Sequence, residues 1–243
     1  MLQATAQSAH PTTVAQQLLL AVRTGDSAQL ASCRQQLGAA PPGWLEQGLT
    51  NQATRLAFWL NLYNAATQWL LAADSNAYRH RQRFFARRQI LVAGTLLSLN
   101  DIEHGILRQS RIWWSMGYLK KCFPPAHEKR WRLEQLDYRL HFALNCGATS
   151  CPPIAYYQPD KIEQQLALAE RVYLRSGVQY DAASHTATIP KIFSWFRADF
   201  GGAKGIRQLL YRLQLVPADT GKKVKLKYSP YDWQLQLQNF RPD

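Results

Sequence analysis

The stretch TNQATRLAFWLNLYNAATQWLLAA, residues 50–73, contains neither glycine nor proline and is apolar on almost every side. A surface helix shows one apolar stripe, whereas a helix apolar all round must be enclosed by the rest of its chain. The fold is therefore expected to be built around this segment. Asn61 and Asn64 stand in its middle. Leaving a buried amide unpaired costs about 1–3 kcal/mol, so each must bond either to neighbouring backbone or to a bound substrate.

Before this helix, Thr12 and Thr13 are placed to cap a helix through Val14, Leu18 and Val22, and Gly25-Asp26-Ser27 reads as its stop and the next helix's start. GAAPPGW then breaks the chain, so residues 1–49 read as a helical extension and 50–243 as one domain. After it, QILVAGTLLSL is patterned as a hairpin turning at Gly94, and GVQYDAASHTATIP as a second. Asn100 followed by Glu103 resembles a capping box that starts a helix at Asp101 and gives Glu103 a structural task. RLHFALN alternates like a strand ending near Cys146; a helix opens near Pro159-Asp160, another spans about 203–213, and KKVKLKY reads as a basic strand. The mixture predicts an α+β fold in which the central buried helix packs on a small, mostly antiparallel sheet.

The 29 Lys and Arg against 16 Asp and Glu give a net charge of +13, which attracts anions without choosing among them. The charge concentrates in RHRQRFFARR, where Arg79, Arg81, Arg83, Arg87 and Arg88 surround Phe84 and Phe85. Such a segment can follow a phosphate backbone or form a solvated helix face, and no nucleic-acid motif accompanies it. The start has no basic first region, its longest early apolar run is Leu18 to Val22, and no window approaches the ~20 apolar residues of a membrane span. The expectation is a soluble, cytoplasmic chain, with export reopened if the start lies elsewhere. The four cysteines are then expected to be thiols.

Five motifs in order, AFWLNLYNA (57–65), LSLNDIEHGILR (97–108), HFALNCGATSCPPI (141–154), IPKIFSWFRADF (189–200) and YDWQL (231–235), resemble the bacterial and plant family called domain of unknown function 547. The resemblance implies that Asn61, Asn64, Glu103, His104, Arg108, His141, Asn145, Cys146 and Cys151 are signature positions. It implies no established activity.

HFALNCGATSCPPI holds the densest chemistry. As a nucleophile, Cys146 would leave a strand into a small-residue turn whose N–H groups can face an oxyanion, activated by an imidazole. If His141 shared that strand it would sit about 16–17 Å from Cys146, so His104 is the expected base. Glu103 and Asn145 are the available orienters, though neighbours on one helix or strand point apart. Zinc held by His104, His141, Cys146 and Cys151 is disfavoured by the wide C-x4-C spacing, and no metal or cofactor is called for. A reversible Cys146–Cys151 disulfide and a purely architectural turn stay open. Arg108, one turn after His104, can hold an anionic substrate group or pair with Asp199 or Asp232. Cys33 and Cys122 lie apart from the cluster.

The leading expectation is a cysteine-dependent hydrolase or acyl transferase with Cys146, His104, Glu103, Asn145 and Cys151 in the catalytic set. Asn61, Asn64, Arg108 and His141 would meet a small-molecule or peptide substrate. A non-catalytic module for an anionic partner, with nucleic acid among the candidates, and a thiol-redox protein are the alternatives.

Overall fold

The computed structural model describes residues 9–217 and 223–242; residues 1–8 of the start and Lys222 of the expected basic strand lie outside them. Helices α1 (Pro11–Thr24) and α2 (Ser27–Ala39) pack side by side. The first begins at Pro11, not at the threonines: proline needs no N–H partner there, and the Thr12 hydroxyl bonds His10 Nδ1 at 2.8 Å. Gly25 ends α1 and the Asp26 carboxylate caps α2 through the N–H of Gln29, as the sequence suggests. Short α3 (Trp44–Gly48) leads to α4 (Gln52–Ala73), which Asn51 and Thr54 cap reciprocally.

Most of α4 is buried, as its composition requires, and α1 is its largest neighbour, in the same apolar core. Then come α5 (Arg81–Ala86) and the antiparallel hairpin β1 (Ile90–Val92) and β2 (Thr95–Leu97). Later elements are α6 (Ala126–Trp131), α7 (Ile162–Gly177), the second hairpin β3 (Gln179–Asp181) and β4 (Thr186–Ile189), α8 (Ile192–Trp195), α9 (Gly202–Arg212) and β5 (Lys225–Tyr228). β5 joins β4 in parallel, with Thr186 opposite Lys225, and this sheet covers a second core containing Phe142, Leu174 and Phe193. The class is α+β, and no helix among the described residues is long and apolar enough to cross a membrane.

Two local expectations fail for the same reason, a competing cap. RLHFALN is not a strand: Asp137 accepts the N–H of Arg139 at 2.9 Å and starts a 3-10 helix, Tyr138–Phe142, that places Leu140 in one core and Phe142 in the other. The capping box before Ile102 is made by Ser98 and Asp101, each accepting the other's backbone N–H at 3.0 Å, while Asn100 caps nothing. Glu103 is thereby released from the task the sequence assigned it.

From Ala143 to Tyr157 the chain forms no regular helix or strand yet is largely buried. Buried backbone must be hydrogen-bonded; the tail pairs with the middle of the segment, through bonds such as Thr149 N–H to Gln234 and Ile154 N–H to Asn239, and α4 supplies partners at its two ends. Asn64 donates to the carbonyl of Ala143 at 3.0 Å and accepts the N–H of Asn145 at 2.9 Å. Asn61 does the same to both backbone groups of Tyr157, at 2.8 and 2.9 Å. Gln68 accepts the N–H of Gln238 at 2.8 Å. Asn64→Ala strands one buried donor and one acceptor, so urea denaturation should show a loss of about 2–4 kcal/mol; a loss below about 0.5 kcal/mol would contradict this account.

Candidate active site

The sequence LNDIEHGILR folds into a π-helical stretch, Asp101–Leu107, in which the N–H of Arg108 reaches the carbonyl of Glu103 at 2.8 Å and that of Ser110 reaches Gly105 at 2.7 Å. A π turn holds more residues than an α turn, so successive side chains diverge less. Glu103 and His104 both face one cavity of about 1280 Å³. Glu103 Oε2 accepts the Tyr63 hydroxyl at 3.0 Å, while its Oε1 stands 3.7 Å from His104 Nδ1, too far for a hydrogen bond.

Arg108 is wholly buried and points away from the cavity into a charge cluster. Its Nε and Nη2 donate to Asp199 at 2.6 and 3.2 Å, its Nη1 lies 2.9 Å from His104 Nδ1, and its Cζ sits 4.5 Å over the Phe196 ring. An arginine has no acceptor, so His104 Nδ1 takes that hydrogen bond and the ring's proton is on Nε2. Burial first, then the charge of Arg108, holds the His104 pKa well below its ordinary value. His104 is thus a neutral N–H donor on the cavity wall.

Asp199 also accepts His141 Nε2 at 2.8 Å, and the imidazole stacks on Phe196 with centroids 4.0 Å apart. Burial pushes the Asp199 carboxyl up, but the hydrogen bonds and charges of His141 and Arg108 outweigh it and hold the pKa at about 2. His141 is lowered, by burial, and stays neutral. Its Nε2 carries the proton toward Asp199, which leaves Nδ1 as a lone-pair acceptor on a ring that lines the cavity. Because residues 138–142 are a 3-10 helix, the strand spacing that separated His141 from the thiols does not apply. Gly117 covers the cluster: at φ +86° it approaches so closely that a Cβ there would fall 2.2 Å from Asp199 Oδ1.

The thiols occupy another part of the same wall. Asn145, fully buried, donates to the carbonyl of Pro152 at 2.8 Å and accepts the N–H of Gly147 at 2.9 Å, folding the loop back on itself. This brings Cys146 Sγ to 2.8 Å from Cys151 Sγ, with no disulfide between them. Cys151 Sγ also accepts the Cys146 N–H at 3.1 Å and has the Tyr231 hydroxyl at 3.2 Å. Burial opposes ionisation of Cys151, but the donors around it prevail and lower its pKa, while Cys146, which gives its proton toward Cys151, is raised well above the thiol range. Cys146 is the partly exposed residue of the pair and Cys151 the buried one. Neither is hydrogen-bonded to a histidine among the described residues.

The structure thus gathers Glu103, His104, His141, Cys146 and Cys151 on one cavity, with Asn61, Asn64 and Asn145 behind it on backbone groups and Arg108 on Asp199. His104, His141, Cys146 and Cys151 do not converge as metal ligands; among the described residues the donors that do are Asp101, His127 and Glu128, whose carboxylates are bound by Arg88 and Lys121. Sequence reasoning missed Tyr63, Tyr231 and the Asp199–His141 bond. Tyr63 and Tyr231 lie within the motifs AFWLNLYNA and YDWQL without a role assigned to them, and Asp199 had a signal as a possible partner of Arg108.

Fold and cavity together define an α+β protein with a paired-thiol site. The family described as "Protein of unknown function, DUF547" matches residues 47–174, and the chain belongs to it. No curated protein and no solved structure matches the chain.

Histidines held neutral make stability depend on pH. An unfolded histidine takes up its proton near 6.5 while native His104 and His141 do not, so stability is lost as pH falls below that value. Glu103, raised by burial, acts in the opposite direction at pH values above its ordinary 4.5, and Asp199 gives up its contribution only between 3.8 and about 2. Urea midpoints should therefore drop from pH 7.5 to 5.5, and less so in His104→Gln; a flat profile over that range would refute neutral burial.

Proposed function

We propose that the protein is a cysteine-dependent hydrolase or acyl transferase working in this cavity, in a reducing compartment such as the cytoplasm that keeps its cysteines as thiols. The observation that carries this reading is the sharing of one cavity by a thiol pair and a carboxylate-held imidazole. Cys146, the more exposed sulfur, attacks the acyl carbon as its proton passes to the Cys151 thiolate. The C–S bond forms, the leaving group departs, and it takes that proton from Cys151. In the second half-reaction His141 Nδ1 accepts a proton from the incoming water or acyl acceptor, which attacks the thioester. The C–S bond breaks, and the imidazolium, stabilised by Asp199, returns the proton to the Cys146 sulfur. The His104 Nε2–H is a donor suited to the developing oxyanion, and Glu103, bound to Tyr63, stands beside it. Asn145, Asn61 and Asn64 act as positioning residues for the thiol loop.

Incubation with p-nitrophenyl acetate should acylate Cys146 well before the exposed Cys122, as read by peptide mass spectrometry. His141→Gln should leave the acyl group in place and slow its release by about 10²–10⁴-fold. Equal acylation of Cys146 and Cys122 would sink the reading. The 2.8 Å sulfur contact favours a second one, thiol–disulfide exchange with a disulfide substrate. On that reading oxidised glutathione converts the pair to an internal disulfide, two glutathione thiols are released, and no acyl enzyme forms.

A further inference from the structure

The cavity that holds the thiols has a rim of a different character. Arg79, in the 3-10 turn Ser75–His80, and Arg81 and Arg83, on α5, all border it. Among the described residues none of the three has a carboxylate within 4.0 Å. Arg88 of the same basic segment, by contrast, is turned to Asp101 at 3.1 Å. Arg81 is held in place by aromatic faces, its Cζ 4.7 Å from the Trp233 centroid and 5.5 Å from that of Tyr78. The one carboxylate on the cavity wall is Glu103, whose burial favours its neutral form. Asp199 is neutralised behind the wall by Arg108. The rim of the cavity is therefore cationic, with no carboxylate among the described residues in reach to neutralise its three guanidiniums.

The wall also carries apolar surface that the fold does not cover. Trp113 and Trp114 are 59% and 61% exposed, and Met116 beside them is 43% exposed. Trp195, Tyr231 and Trp233 continue the aromatic lining, with ring centroids 4.6–5.4 Å apart. Exposed tryptophans beside a concave site mark surface for a ligand to cover. Resting on the acyl-transfer reading above, we infer that the acyl donor is an anion: a carboxylate or phosphate group bound at Arg79, Arg81 and Arg83, joined to the acyl carbon through a flat apolar body lying on the tryptophans.

Unreactive probes separate this inference from the chemistry. N-benzoylglycine carries a carboxylate on an aromatic body, N-benzoylglycinamide is its neutral counterpart, and phenyl phosphate replaces the carboxylate by phosphate. Titrated into the whole protein with tryptophan fluorescence as readout, at least one anion should bind about tenfold or more tightly than the amide. Which anion leads decides between carboxylate and phosphate. The preference should shrink with added salt and fall below about twofold in the exposed-residue variant Arg79→Ala/Arg83→Ala, its folding checked by circular dichroism. If the amide binds as well as both anions, or the double variant keeps the preference, the inference is overturned. Should the anion preference hold while Cys146 resists p-nitrophenyl acetate, the acyl-transfer reading falls and the anion site stands.

Discussion

The constraint on which the rest of the structure depends is that the buried, irregular chain from Ala143 to Tyr157 must satisfy its backbone without belonging to a sheet or helix. Asn61, Asn64 and Gln68 follow one another at spacings of three and four, so they share one face of α4. Each asparagine offers an N–H and a C=O to one backbone stretch, which is what a neighbouring strand would offer. The amides thus hold the two ends of a segment whose middle is paired with the strand-like tail. Because the segment they hold carries both thiols, the helix core and the chemistry are parts of one hydrogen-bonding system.

A second system fixes the opposite wall. Removing Arg108 and Asp199 from water is expensive, and their mutual attraction offsets it only with good geometry and full use of the remaining donors and acceptors. The geometry meets that condition: Asp199 receives Arg108 through two nitrogens and His141 through a third, and the last guanidinium nitrogen is taken by His104. Two neutral imidazoles are thereby oriented by one ion pair, both as the Nε2–H tautomer but turned opposite ways: His104 meets the pair through its Nδ1 lone pair and His141 through its Nε2–H. The ion pair leaves His104 its Nε2–H and His141 its Nδ1 lone pair, on two rings that line the cavity. Removing either charged partner would leave the other buried without compensation, so the pair is better understood as specifying the orientation of its histidines than as a source of net stability.

Much of the fold was legible because local rules acted alone. Gly25-Asp26, the turns of both hairpins and the all-round apolarity of residues 50–73 need no tertiary information, and the structure has them where the patterns place them. The misreadings arose where two local signals competed. Asp137 offered a cap to a segment that also alternates like a strand, and Ser98-Asp101 and Asn100-Glu103 both match a capping box, of which burial of Asp101 against Ser98 selects one. Of the site, the cysteines, histidines and asparagines were visible as types, but their roles were not. Tyr231 reaches the thiols because the strand-like tail bridges Ala148 to Leu235, and Asp199 reaches His141 across a contact between segments far apart in the chain. No spacing rule carries such information.

The thiol pair shows why the tail matters to the chemistry. Two cysteines alone in a buried turn would both be disfavoured as thiolates, since desolvation raises each. Here the donors are distributed unevenly: the Cys146 N–H and the nearer approach of Tyr231 both favour Cys151. Ionisation of the pair is therefore directed toward Cys151, the less accessible residue, and away from Cys146. A lone thiolate at the cavity surface would react with any electrophile that entered. With ionisation favoured at Cys151, the proposed attack by Cys146 requires an acyl group held long enough for the proton to pass between sulfurs. Substrate positioning, and hence the arginine and tryptophan lining, then governs whether the thiol reacts at all, and the same arrangement ties reactivity to residues 231–235, which lie outside the 47–174 match to the family.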